Sequence, residues 1–535
     1  MTKQCFQCHK TFHIYPEDLE FYKKMDVPIP VLCPDCRKQR RITWRNERCL
    51  YERICDFSKK KILSVYSPEK PYKVYENKIW WSEQWDAKKY SRDFDFNKTF
   101  FEQFAALYQI VPKLSMMVNS VSENCDYSLY LDIGKNCYLC VSGAYLENCH
   151  YCYFCQESKN CIDCSCSRRS ELCYYCVDCI KCYHVFNGHN CVNCIDCKYL
   201  FNCFNCHNCI GCSGLRNKEY YIFNKSYSQE EFFNKSTKLN DKEILENFLI
   251  LKEKEIRRYY EGTQNINSFG NYLSNCKNAY NCFDVENIED SSYLINGMKA
   301  KDVYDSEFFW SVELCYECLS MYQNNNCLFN DFCWTCNNTA YSSYCFDSQN
   351  LFGCCGLKKE KNCILNKQYS ENEYQLLRQK IIKHMQKTNE WGKFFPISMC
   401  PFAYNESIAY IYYPLAKAEI ERRGWKWKVR DEKDYQPASG DILACTKCKK
   451  NYKLIQDEII FYKKNNLNFP NKCPACRFLE RIVLRNPRTL WYRQCMCTQP
   501  DHHHHGQCTN EFETTYSPER KELIYCEDCY NKEVY

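Results

Sequence analysis

The sequence predicts a mainly β protein with helices: two narrow β-solenoid modules of about 12 residues per coil, flanked by zinc ribbons. Three observations predict it. A central cysteine register repeats every three residues, that segment is duplicated, and matching CxxC and CPxC motifs stand near both ends of the 535-residue chain.

The register comes first. Between Cys125 and Cys212, nineteen of twenty cysteines share one position modulo three, and Cys166 is the exception. The other residues in that register include Ser128, Leu131, Gly134, Ala-sized Ser158, Val185, Gly188 and Leu200; none is charged. That is how an inward-facing row behaves. Period three suits neither a helix nor a flat strand. A superposed period of twelve links Cys125, Cys137, Cys149, Cys161 and Cys173, four of them preceded by asparagine. A narrow coil with four inward positions satisfies both periods. Its thin interior explains the small residues.

A second segment keeps the register with less cysteine. Cys276, Cys282, Cys315, Cys318, Cys327, Cys333, Cys336, Cys345 and Cys354 share it with Ala279, Val285, Ile288, Leu294, Ala300, Val303, Val312, Met321 and Leu351. Phe309 fits poorly and suggests a bulge. Metal ligation would not accept valine or alanine in the same role, whereas packing would, because free cysteine is a small buried hydrophobe. A thiol-based metal or redox array is the competing reading. The spacing resembles the short-coil β-solenoids of insect antifreeze proteins, but no threonine rows are present, so ice binding is not implied.

The segment "GCSGLRNKEYYIFNKSYSQEEF" (211–232) recurs as "GCCGLKKEKNCILNKQYSENEY" (353–374), so the solenoid is duplicated. Each copy ends in a cap, with Ser228 or Ser370 as N-cap of a following helix over roughly 228–260 or 370–388. The resulting domains are a ribbon with a degenerate second metal site (1–81), a linker and short helix (82–120), a first solenoid with cap (121–227) and a helical linker (228–262). A second solenoid with cap (263–369), a helical or irregular linker (370–440) and a ribbon plus second zinc site (441–535) follow.

Cys5, Cys8, Cys33 and Cys36 match Cys445, Cys448, Cys473 and Cys476 in spacing. Two CxxC knuckles supply four thiolates, a closed tetrahedral set with no position left for substrate, which points to structural Zn²⁺ with iron as competitor. "CFQCHKTF…PVLCPDCRKQRR" and "CTKCKKNY…PNKCPACRFLER" resemble the probable zinc-binding ribbons of uncharacterised cysteine-rich bacterial proteins, which share the order ribbon, solenoid, solenoid, ribbon. The resemblance implies no known activity. The duplication extends to "YSPEKPYKVYENKIWW" and "YSPERKELIYCEDCYNKEVY". There the second copy has Cys497, Cys508, Cys526 and Cys529 as a further ligand set, with a histidine from 502–505 as substitute. The first copy has only Cys55, with Glu76 and Ile79 at aligned positions. About three Zn²⁺ per chain are expected.

Beside the ribbons, Arg37, Arg41 and Arg45 match Arg477, Arg481 and Arg485. Spaced by four, each set shares one helix face. Phosphate contact is one reading; pairing with internal carboxylates, or a solvated face, is the other.

The net charge of +6 is small for this length and does not itself imply nucleic acid. No apolar signal core or long apolar run appears, which predicts a cytoplasmic protein without a membrane partner. In that compartment 47 cysteines do not read as disulfides. No phosphate loop, nucleophile elbow or HExxH is present, and no small-molecule substrate suggests itself. The expected function is a non-enzymatic zinc-binding scaffold for protein or nucleic acid, with thiol-based metal handling or redox chemistry as the alternative.

Overall fold

The computed structural model describes residues 1–118, 121–165, 168–177, 179–293, 300–301, 312–317, 319, 321–322, 324–335, 337–429 and 440–534. It is mainly β with helices, and its centre is a β-solenoid of about 12 residues per turn.

The register of three is a backbone conformation. Nearly every residue that precedes an inward position lies in the left-handed region, from Asn124 (φ 51°) through Glu157 (φ 48°), Asp163 (φ 63°) and Asn208 (φ 49°). Two extended residues and one left-handed residue make a side and a corner, so each coil turns at every third residue. Left-handed geometry costs an ordinary L-residue roughly 1–2 kcal/mol, and asparagine and aspartate tolerate it best. This explains the asparagines before the cysteines. Their side chains also form ladders along the stack: Asn124 Nδ2 donates to Asn136, Asn136 to Asn148 and Asn148 to Asn160, each at 3.1 Å.

Parallel bridges tie each coil to the next, as in Tyr138 with His150, Val141 with Tyr153 and Ile162 with Tyr174. Corner amides take part, since Leu139 N donates to Asp126 O at 3.0 Å. Inside, cysteines 137 to 212 of the register are buried together with Leu131, Leu146, Val185 and Leu200. Their thiols donate weakly to inward carbonyls: Cys140 Sγ reaches Cys149 O at 3.1 Å, and Cys176 Sγ reaches Val185 O at 2.9 Å. Cysteine thus fills a narrow core and satisfies its polar lining at once.

The chain divides into two compact units. One comprises Met117–Tyr259 and Arg430–Tyr535. Its coils end in strand Glu219–Ile222 and the antiparallel strand Lys225–Ser226. Ser228 and Glu231 then form a reciprocal capping box that starts helix Gln229–Ser236. The helical stretch expected over 228–260 is two helices, the second being Asp241–Lys254.

The other unit comprises Met1–Met116 and Tyr260–Val429. Its described coils include strands Gly262–Thr263 and Lys361–Ile364, the latter closed by antiparallel Lys367–Gln368. Ser370 and Glu373 repeat the capping box before helix Glu371–Lys387. A register shift falls between Phe269 and Gly270. Gly270 has φ 151°, and a Cβ there would sit 1.8 Å from Cys282 O, so only glycine fits this bulge. The bulge expected at Phe309, and Cys166, Leu294, Val303, Cys318 and Cys336, lie outside the described residues. Helix Phe100–Ile110, capped by Thr99, is the short helix expected before the first coils.

The end modules repeat in three dimensions. Hairpin Thr2–Gln4 with Thr11–His13 and helices Pro16–Lys24 and Pro34–Ile42 match hairpin Ile442–Ala444 with Asn451–Lys453 and helices Gln456–Lys464 and Pro474–Ile482. Hairpin Tyr51–Ile54 with Lys61–Ser64 matches Trp491–Gln494 with Glu511–Thr514. Among the described residues no helix is long and apolar enough to cross a membrane.

Candidate metal centres and arginine clamps

Each CxxC knuckle sits at a hairpin end, and each CPxC knuckle opens a helix with proline in its first turn. This brings Cys5, Cys8, Cys33 and Cys36 together with all four sulfurs within 4.8 Å of one another, and Cys445, Cys448, Cys473 and Cys476 likewise. Cys8 and Cys33 sulfurs are 3.7 Å apart, as are those of Cys448 and Cys473. Cys33 N donates to Cys5 Sγ at 3.2 Å. The Cys36 thiol, hydrogen-bonded to Cys33, brings Cys33 down to about 6 and is itself pushed up. Burial pushes the Cys445 thiol up, but the amides of Cys448, Cys473 and Lys447 outweigh it and bring it down to about 6. One sulfur in each set is therefore ready to be thiolate, and the donor sets fit a metal ion.

The third set is regrouped. Cys508, Cys526 and Cys529 cluster with Cys495, and of the three only Cys529 also clusters with Cys497. Cys497 clusters with His502, His504 and Cys529. Cys495 is not in the set that spacing predicts, yet its first-copy counterpart carries the signal: Glu76 N donates to Cys55 Sγ at 3.3 Å, just as Cys526 N donates to Cys495 Sγ at 3.2 Å. Cys55 has kept the knuckle hydrogen bond without the other thiols.

One further trio, Cys161, Cys164 and Cys173, lies within the coil interior. Each is fully buried, and their thiols donate to Ser170, Cys173 and Cys182 carbonyls at 3.5, 3.3 and 3.8 Å. The same bond to the carbonyl nine residues on is made by other inward cysteines, among them Cys152, Cys179 and Cys194.

The arginines lie inside the units. Arg477 and Arg481 stand on helix Pro474–Ile482, while Arg485 lies beyond its end; Arg37 and Arg41 stand on helix Pro34–Ile42, while Arg45 lies beyond it. The third member of each set therefore does not extend the helix face. All six are buried. Arg477 Nε meets Asp163 Oδ2 at 2.6 Å and its Nη2 meets Glu458 at 3.1 Å; Arg481 Nη1 meets Asp163 Oδ1 at 3.0 Å. In the other unit Arg40 pairs with buried Glu317, Arg37 Nε lies 4.0 Å from that carboxylate, and Arg45 bonds Glu47 at 2.5 Å. Sequence reasoning had no means to single out Asp163, Glu458 and Glu317, because the pairs are remote in the chain.

Packing accompanies the charges. Phe478 lies against Tyr153 with centroids 4.9 Å apart, and Tyr462 against Tyr174 at 5.3 Å. Among the apolar residues that directly follow inward positions, Tyr153, Ile162 and Val177 are buried, whereas Ile180, Tyr183 and Ile195 stay 39%, 45% and 37% exposed.

No family model matches the chain, and no curated protein or solved structure is detectably similar to it. The functional reading rests on geometry.

Proposed function

We propose that this chain is a non-enzymatic scaffold built as two capped solenoid modules, with structural Zn²⁺ in Cys5, Cys8, Cys33 and Cys36 and in Cys445, Cys448, Cys473 and Cys476. A further zinc centre lies at the cysteines of the last module. The observation that supports it most is the continuity from metal to coil. The CPxC knuckle starts the helix that carries Arg477 and Arg481, and those arginines close on a carboxylate of the coils. A closed set of four thiolates contributes folding energy and offers no open position for catalysis. Holding that helix is its task. The exposed run of Ile180, Tyr183 and Ile195 suits a protein partner better than a phosphate backbone.

Burial of Arg37, Arg41, Arg45, Arg477, Arg481 and Arg485 supports internal pairing over nucleic-acid contact. The enclosed solenoid sulfurs likewise favour packing over thiol chemistry.

Elemental analysis of protein purified without chelator should find zinc. Titration with a thiol reagent should find few reactive solenoid thiols before denaturation. Mixed RNA and DNA should not bind at low salt. Salt-sensitive binding that is lost when both arginine sets become glutamine would turn the reading to nucleic acid. Fast, stoichiometric reaction of the solenoid thiols would turn it to redox or metal handling.

A further inference from the structure

The two clusters of the last module share a residue. Cys495, Cys508, Cys526 and Cys529 form one four-donor set, Cys497, His502, His504 and Cys529 form another, and in each the donor atoms lie within 4.8 Å of one another. We propose that the module holds two zinc ions bridged by the Cys529 thiolate, a binuclear centre of five cysteines and two histidines. The proposal rests on the zinc-scaffold reading and extends it from one ion to two.

Four observations carry it. The first is the position of Cys529. It lies in the first turn of helix Glu527–Val534, fully buried, and its sulfur meets His504 Nε2 at 3.5 Å while belonging to the all-cysteine set as well. A thiolate has lone pairs enough for two metals, and this one is grouped with three further donors in each set.

The second is spacing. Tetrahedral zinc, with Zn–S about 2.3 Å and Zn–N about 2.0 Å, holds its donors roughly 3.5–3.8 Å apart. Cys529 Sγ and His504 Nε2 are 3.5 Å apart, within that range, while Cys508 and Cys526 sulfurs at 4.0 Å and Cys497 Sγ and His502 Nδ1 at 3.1 Å fall a few tenths of an ångström to either side.

The third is the far side of each imidazole. A metal-bound histidine almost always gives its other ring nitrogen to a carboxylate or carbonyl, which fixes tautomer and ring orientation. His502 has Nε2 3.3 Å from Glu533 Oε1, and His504 has Nδ1 2.9 Å from Gly506 O. The two rings use opposite nitrogens toward the sulfurs, and each opposite nitrogen has its acceptor. His503 and His505, between and after them, are exposed and take no part in either set. The run of four histidines thus alternates inward and outward.

The fourth is charge. Two dications against the five thiolates and two neutral imidazoles of the combined set leave about one negative charge, where a single dication would leave about three buried. Thiolates are also held by donors, since Asn510 Nδ2 reaches Cys526 Sγ at 3.5 Å and Cys526 N reaches Cys495 Sγ at 3.2 Å.

The test is native mass spectrometry of the zinc-reconstituted full chain, with elemental analysis to identify the metal. With the two terminal four-cysteine sites, wild type should carry four zinc ions. His502→Ala with His504→Ala should carry three, with the coil circular dichroism unchanged. Cobalt-loaded wild type should show magnetic coupling of one pair of ions, and the double variant should lose it. Three ions in wild type, four in the double variant, or four uncoupled cobalt ions would overturn the bridged pair while leaving the zinc scaffold. No zinc, or iron in its place, would overturn both.

Discussion

Asp163 and Arg481 are both fully buried, and the carboxylate of a solenoid corner meets the guanidinium of a knuckle helix at 3.0 Å. Asp163 also takes Arg477, so one corner residue anchors two cations. Removing one partner of a buried ion pair leaves an uncompensated charge. Asp163→Asn should therefore cost about 3–5 kcal/mol and release helix Pro474–Ile482. Hydrogen exchange of that helix is the measurement.

The coil interior accepts small apolar residues and refuses charge. Cys152→Ala should cost about 1–2 kcal/mol and leave metal content unchanged. Cys152→Asp should prevent the coils from forming, because it buries an unpaired carboxylate. Thermal melting and zinc content of the two variants check this, and loss of metal from Cys152→Ala would contradict the packing role.

Gly270 is irreplaceable for a different reason. Its φ of 151° and the contact of a Cβ with Cys282 O both forbid a side chain. Gly270→Ala should destabilise strands Phe269–Ser274 and Lys277–Glu286 by more than about 1 kcal/mol. Faster exchange confined to those strands is expected.

Asp331 supplies a pH dependence. Burial raises its carboxyl from 3.8 to about 7, with Ser343, Lys113 and Arg45 offsetting only part of the effect. Ser343 Oγ donates to it at 2.8 Å. Between those values the folded state holds a proton that the unfolded state has lost, so stability falls as pH rises through the window and is flat above it. The loss is at most about 4 kcal/mol. Asp331→Asn should not lose it, so its melting temperature relative to wild type should rise from about pH 5 to about pH 8.

Much of this was legible in the sequence because it is periodic or duplicated. The inward row was readable from cysteine, valine and alanine sharing one register, and the four-cysteine sets from matching knuckles. The caps were readable from Ser228 and Ser370 three residues before glutamate. The corners were not read, although asparagine before cysteine was their trace, because a left-handed residue leaves no hydrophobic period. Cys495 cannot be told from Cys497 in the sequence, because separation along the chain does not say which of two nearby thiols turns toward Cys508. The arginine partners were hidden for the reason given by Asp163: it is a corner residue like its neighbours, and only the docked helix makes it different.

The corner at every third residue also sets a quantum of length. Away from a bulge such as that at Gly270, a gain or loss of one residue throws every later sulfur out of the core. A change of three keeps the sulfurs inside but rotates all later coils by one side, so that Asp163 would no longer face Arg481. Only whole coils, about 12 residues, preserve both. Inheritance can therefore lengthen or shorten this molecule in steps of one coil, and every such step shifts the distance between surfaces above and below it by a single strand spacing.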